Sequence, residues 1–309
     1  MTGLSLSRRY YDEVFLPECR RLLPEAEGYF AAGLVGEGSE CFGFDDRWSR
    51  DHSFGPRLCI WLTREDYDRF GAELEQLWRS LSDEFDGYKR PPEDPNEGKR
   101  SGVFTVEEFY LRLLGVPGVP TELRHWLAIS EPSFAAAVNG QVYADSPGVF
   151  TTVRERLRAH YPADVTRYLL ARNVAVAAQT GQYNLLRSHR HGEELAAATI
   201  RARFTQSVMA MVFLLNKTYR PFYKWAPRAM RELPVLGSHL YHKLLRLDSV
   251  RDVREQVELV EDICACLLVE LQRQGYTAGH SDYLMDHLPE IMDRIEAPEI
   301  RERGVSLVF

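Results

Sequence analysis

Gly36-Glu37-Gly38-Ser39-Glu40-Cys41-Phe42-Gly43, followed by Ser49-Arg50-Asp51-His52-Ser53, separates two apolar runs at residues 29–35 and 58–62. Each run has the length of a buried strand. The glycines between them make a loop whose backbone can approach a ligand closely. Beyond the second run, Thr63 and Asp66 supply a helix-capping signal. Tyr67, Phe70, Leu74, Leu77 and Leu81 then recur at threes and fours, a stripe that packs on a sheet. Upstream, residues 7–23 read as an amphipathic helix that Pro24 separates from the first strand.

Further along, residues 86–100 are rich in Pro, Gly and charge without periodicity, which predicts a long surface loop. Short strands are expected at residues 103–106 and, after the Asn139-Gly140 turn signal, at 141–144, ending at Asp145. Past Pro147 the pattern becomes helical, over residues 149–159, 164–186, 193–219 and 250–274. In the last of these, Val250, Val253, Val257, Val260, Cys264, Leu267 and Leu271 form a core stripe between end signals at Ser249 and Gly275. Pro221, Pro227 and Pro234 mark a broken connector. The expected fold class is α+β: a small mixed-sheet domain over residues 1–147, then an all-helical bundle over residues 148–309.

A chain of 309 residues is long enough for two cores. Its formal charge of −7 argues against a broad nucleic-acid surface, though a local basic pocket is allowed. The five cysteines have no zinc-type spacing, and Cys264 and Cys266 point apart on a helix. No stretch of 18 apolar residues and no signal-type leader is seen, so a cytoplasmic protein without membrane spans is expected.

A Gly-Ser pair after a strand, about ten residues, and then a carboxylate heading the next strand resembles the signature of the DNA polymerase β-like nucleotidyltransferase superfamily. The wider run through Gly43-Phe44-Asp45-Asp46 and Asp51-His52 to Gly55-Pro56 is similar to an uncharacterised bacterial family within it. Phe213-Leu214-Leu215-Asn216-Lys217 and Pro221-Phe222-Tyr223-Lys224-Trp225 extend the likeness over most of the chain. The resemblance implies a nucleotidyltransferase domain that moves a nucleoside monophosphate from a nucleoside triphosphate, such as ATP, to an acceptor hydroxyl. The acceptor would be a small molecule or a protein, and the cofactor Mg2+ or Mn2+. An inactive nucleotide- or partner-binding protein of the same fold is the alternative.

Under that resemblance Asp51 is a catalytic metal ligand, and Gly38 and Ser39 hold phosphate. Ser53 stands where the family usually places a second acidic metal ligand; a hydroxyl is neutral and weaker, so Glu37 or Glu40 becomes a possible substitute. Asp145 is the candidate third acid, ligating metal and acting as general base, with a turn cap as its alternative. Glu107 and Glu108 read rather as a solvated helix start. Lys217 and Lys224, with Arg220, are candidate triphosphate contacts, against ordinary solvated cations. Tyr223 is a candidate base-stacking residue and Trp225 reads as packing. His52 points away from its neighbours' face, and His189, His191, His239 and His242 read as surface or capping residues.

Overall fold

The computed structural model describes residues 1–49, 54–92 and 98–305. It divides into two compact units, Met1–Ala159 and His160–Phe309, so the helix after Pro147 belongs with the sheet rather than with the bundle. The first unit is a small mixed sheet with helices; the second is helical.

In the first unit, α1 (Gly3–Tyr10) and α2 (Leu16–Leu22) are joined by a π-helical turn and precede β1 (Ala31–Leu34). Strand β2 (Cys59–Leu62) leads into α3 (Arg64–Ser80), whose start Thr63 caps by accepting the Asp66 amide. A two-residue-per-strand hairpin follows, β3 (Glu84–Phe85) with β4 (Tyr88–Lys89), of which β4 falls within the region expected to be loop. Then come β5 (Gly102–Thr105), α4 (Val106–Leu114), α5 (Leu123–Ala128), α6 (Glu131–Val138), β6 (Gln141–Asp145) and α7 (Val149–Arg158).

The sheet order is β5-β2-β1-β6, with β2 and β5 parallel and β1 antiparallel to both of its neighbours. All four residues of β2 are buried, as expected of a strand covered on both faces. Ile60, Leu62, Ala32 and Val103 pack with Tyr10, Phe15, Leu74 and Leu77 from the helices on one face. Trp61 points the other way, stacked on Phe150 at 3.8 Å and edge-on to Phe109.

The helical unit contains α8 (Ala163–Ala177), a π-helical segment at residues 178–184 and α9 (Leu185–Arg190). It continues with α10 (Glu194–Leu215), α11 (Ala226–Arg231), α12 (Gly237–Ser249), α13 (Val253–Arg273), α14 (Leu288–Asp293) and α15 (Pro298–Arg301). Residues 207–215 of α10 are buried all round, which places that half of the helix at the centre of the core. The predicted stripe of α13 holds at Val260, Cys264, Leu267 and Leu271, but its cap is Asp252, three residues later than Ser249. Among the described residues no helix is long and apolar enough to cross a membrane.

Gly181, in the π-helical segment, lies where any Cβ would press on the Phe204 ring of α10 and on Val260 of α13. Alanine favours helix by up to about 1 kcal/mol over glycine, but overpacking a core commonly costs about 1–3 kcal/mol. Gly181→Ala is therefore expected to lower the urea midpoint of the helical unit without changing the slope. A midpoint at or above that of the parent would contradict this packing argument.

Candidate functional site

The β1–β2 register, Gly33 opposite Cys59 and Ala31 opposite Trp61, brings the end of β1 beside the beginning of β2. The glycine-serine turn therefore lies at the end of the sheet where β2 starts. Ser39–Phe42 forms one 3-10 turn, closed by Gly43 in the left-handed region. Asn139 extends the strand pairing there: it accepts the Gly36 amide at 3.0 Å and donates to the Gly36 carbonyl at 2.6 Å. Arg154, buried on α7, donates to the carbonyls of Asn139 and Gly140 at 2.6 and 2.9 Å. Burial and the nearby Arg158 lower its pKa to about 10, so it stays a cation and clamps that turn.

Gly38 has an ordinary extended conformation, with φ −70 and ψ 150. Its lack of a side chain is explained by Glu40, whose carboxylate occupies the space a Cβ would need. Glu40 is turned inward to pair with Arg57 at 2.6 Å, with side-chain exposures of 5% and 3%. Arg57 also donates to the Arg100 carbonyl at 3.2 Å, tying the start of β2 to the start of β5. Glu37 is paired with Arg112 at 2.7 Å and lies 3.8 Å from Arg100. Both glutamates that stood as substitutes for the missing metal ligand are thus engaged by arginines. The Ser39 hydroxyl is half-buried and has no hydrogen-bond partner among the described residues.

Asp51, His52 and Ser53 lie outside the described residues. Asp45, in the segment leading toward them, accepts the Gly3 amide at 2.9 Å through Oδ2. Its Oδ1 is buried and has no hydrogen-bond partner among the described residues, a position that a cation or a water would satisfy. Cys41 and Cys59 are buried here, and burial pushes both thiols up, which removes them as nucleophiles. Among the described residues no three His, Cys, Asp or Glu side chains form a ligand set for a metal.

The expectation that Asp145 meets the glycine-serine turn is not met by the strand register. Leu34 is opposite Gln141, whereas Asp145 is opposite Ala31, at the other end of β1. Three residue steps separate the two positions, roughly 10 Å along a strand. Both Asp145 oxygens already accept backbone amides, from Gly148 at 2.9 Å and Thr151 at 2.7 Å, so the side chain braces the entry to α7. Glu108 completes a capping box with Thr105 at the start of α4.

Lys217 and Lys224 both belong to the helical unit and are exposed. Lys217 follows α10 in a left-handed conformation, φ 49, and the Lys224 ammonium lies 5.3 Å from the Trp225 ring centroid. Phe222 and Tyr223 are exposed beside each other, their ring centroids 4.3 Å apart. Asn216 bridges to the backbone of Val235, which fixes the connector after α10. His189 is hydrogen-bonded to Gln256 at 3.0 Å, and His239 faces Cys266 at 3.6 Å.

Residues 126–226 match the model of a family described as a domain of unknown function, DUF4037. The likeness to DUF4037 covers about a third of the chain, from α5 to the start of α11, and includes Lys217 and Lys224. The glycine-serine turn lies outside that stretch. No curated protein and no solved structure matches the chain.

Sequence reading missed Asp45, Arg57, Arg100 and Arg112 as site residues. Asp45 stands in the quoted run and Arg57 directly after it, but only the fold turns Arg57 inward and leaves Asp45 Oδ1 bare. Arg100 and Arg112 come from a loop and from α4, and no sequence spacing joins them to Glu37.

Proposed function

We propose that the chain is a metal-dependent nucleotidyltransferase, acting at the glycine-serine end of its sheet. An acceptor hydroxyl oxygen would bond to the α-phosphorus of a nucleoside triphosphate as the bond to the β-phosphate oxygen breaks. Pyrophosphate leaves, and the hydroxyl proton passes to solvent. The carrying observation is the bare, buried Oδ1 of Asp45 in the segment that follows the Gly38-Ser39 turn. Together with Asp51, which lies outside the described residues, it would supply the second carboxylate that Ser53 does not, residue types suited to Mg2+ or Mn2+. The bound metal would stabilise charge on the α-phosphate and the departing pyrophosphate. Ser39, with its uncommitted hydroxyl, would donate to a phosphate oxygen, and the arginines of the same sheet end supply positive charge.

A second reading, a binding protein that has lost transfer, is favoured by Gly38, whose form is accounted for by Glu40 without any ligand. The two are separated by incubating the full chain with each triphosphate, Mg2+ or Mn2+, and cell extract, and searching for a nucleotidyl adduct and pyrophosphate by mass spectrometry. Transfer by the parent chain that falls at least about 100-fold in Asp45→Asn is expected, a loss typical of removing one charge-stabilising group. No adduct on protein, RNA or metabolite would favour the binding reading. An undiminished Asp45→Asn enzyme would remove Asp45 from the metal site.

A further inference from the structure

We infer that Arg112 and Arg100 form an anion site for the diphosphate portion of a nucleoside triphosphate, and that Glu37 is a built-in competitor for it. The inference rests on the reading above that a triphosphate is handled at this end of the sheet. Arg112 stands in the last turn of α4, Arg100 just before β5, and Glu37 in the loop immediately before Gly38-Ser39. Three separate elements thus deliver two guanidinium groups to one carboxylate oxygen, Oε2 of Glu37, at 2.7 and 3.8 Å.

The pair differs from its neighbour in a way that matters for exchange. Arg57 and Glu40 are sealed in the interior, whereas the Glu37 side chain is 44% exposed and that of Arg112 is 21% exposed. Ion pairs as exposed as this contribute little, so the carboxylate can be displaced cheaply. The Arg112 Nε–H is buried without a partner among the described residues, while Nη1 donates to Glu37. A guanidinium holds five donors in a rigid fork that suits phosphate oxygens, and a single carboxylate oxygen leaves much of that fork unused. Diphosphate brings more charge and more acceptors than Glu37. Arg112 is also held ready: α4 is fixed by its Thr105–Glu108 capping box and by the buried Phe109, Tyr110 and Leu113. Glu37 therefore acts as a gate by charge, occupying the anion site until a polyphosphate replaces it.

Calorimetric titration of inorganic pyrophosphate into the full chain, at low salt and without metal, tests this. Glu37→Gln is expected to bind about 10-fold tighter than the parent, and Arg112→Gln about 10-fold weaker, the span that one charge-assisted pair commands. Arg112→Lys keeps the charge without the fork and should fall between; it also serves should Arg112→Gln not fold, as judged by thermal melting. A Glu37→Gln protein no tighter than the parent, or a folded Arg112 variant with parental affinity, overturns the proposal, as does pyrophosphate binding to neither the parent nor Glu37→Gln. Tightened binding with no nucleotidyl transfer by any variant would leave the anion site standing and remove the transferase reading. Transfer with unchanged pyrophosphate affinities would do the reverse.

Discussion

Arg57→Met is expected to lower the unfolding free energy of the sheet-containing unit by about 3–5 kcal/mol, because it strands the Glu40 carboxylate in the interior. The Arg57 side chain is 3% exposed and its Nη1 lies 2.6 Å from Glu40. Removing the cation leaves a charge that has lost both water and partner. Glu40 cannot turn outward without cost, since its β- and γ-carbons fill the space that a Cβ on Gly3 would need. The double variant Glu40→Met, Arg57→Met removes both charges and should recover most of the loss, as buried pairs often exchange for apolar residues at little net cost. Urea unfolding followed by tryptophan fluorescence reads the effect, since Trp61, Trp78 and Trp126 are all buried in this unit. A single variant within about 1 kcal/mol of the parent would mean that the pair is not sealed from water.

The helical unit should lose stability in mild acid, and His160 should contribute much of that loss. It is 5% exposed, and its ring lies 4.6 Å from that of Tyr161 and 4.5 Å from that of Tyr219. Its Nε2 is buried without a hydrogen-bond partner among the described residues. Burial, assisted by the charge of Lys217, lowers its pKa from 6.5 to about 4. The unfolded chain takes up the proton near pH 6.5, while the folded one does so only near pH 4. Between these values the unfolded state binds more protons, so stability falls as the pH drops through this window. The full contribution is present above pH 6.5, and its loss by pH 4 amounts to about 3 kcal/mol, from 1.36 kcal/mol for each pKa step. His160 has φ 73, a conformation that asparagine tolerates, so His160→Asn removes the titration with little backbone strain. Urea unfolding at a series of pH values should show a shallower acid loss in the variant. Parallel profiles for the two proteins would sink the assignment.

The four strands of the main sheet were legible because their apolar runs are bounded by glycine or charge, and α13 because its apolar residues recur at threes and fours; the short β3–β4 hairpin was not. Register was not legible. Asp145 ends its strand in sequence as an active-site acid would, yet which end of the sheet that is depends on pairing with Ala31, a residue far away in the chain. The glycines were read for backbone freedom, whereas at Gly38 the neighbour Glu40 decides the residue. The extended reading at residues 103–106 obscured the capping box of Thr105 and Glu108 that starts α4. The unit boundary was placed at a proline, but α7 stays with the sheet because Phe150 stacks on Trp61 and Tyr110. The arginines around Glu37 and Glu40 were invisible in the sequence for the same reason as the register: tertiary packing alone gathers them.

Strand β1 is hemmed on one side by β2 and on the other by β6, which is made more than a hundred residues after it. During synthesis the nascent chain must therefore hold an unpaired strand edge until Gln141–Asp145 leaves the ribosome. Such exposed edges invite wrong partners. The Asn139-Gly140 corner, clamped by Arg154 from a helix made later still, makes closure of this sheet a late event in the life of the chain. Truncations ending between β5 and β6 should accordingly aggregate or engage chaperones rather than fold.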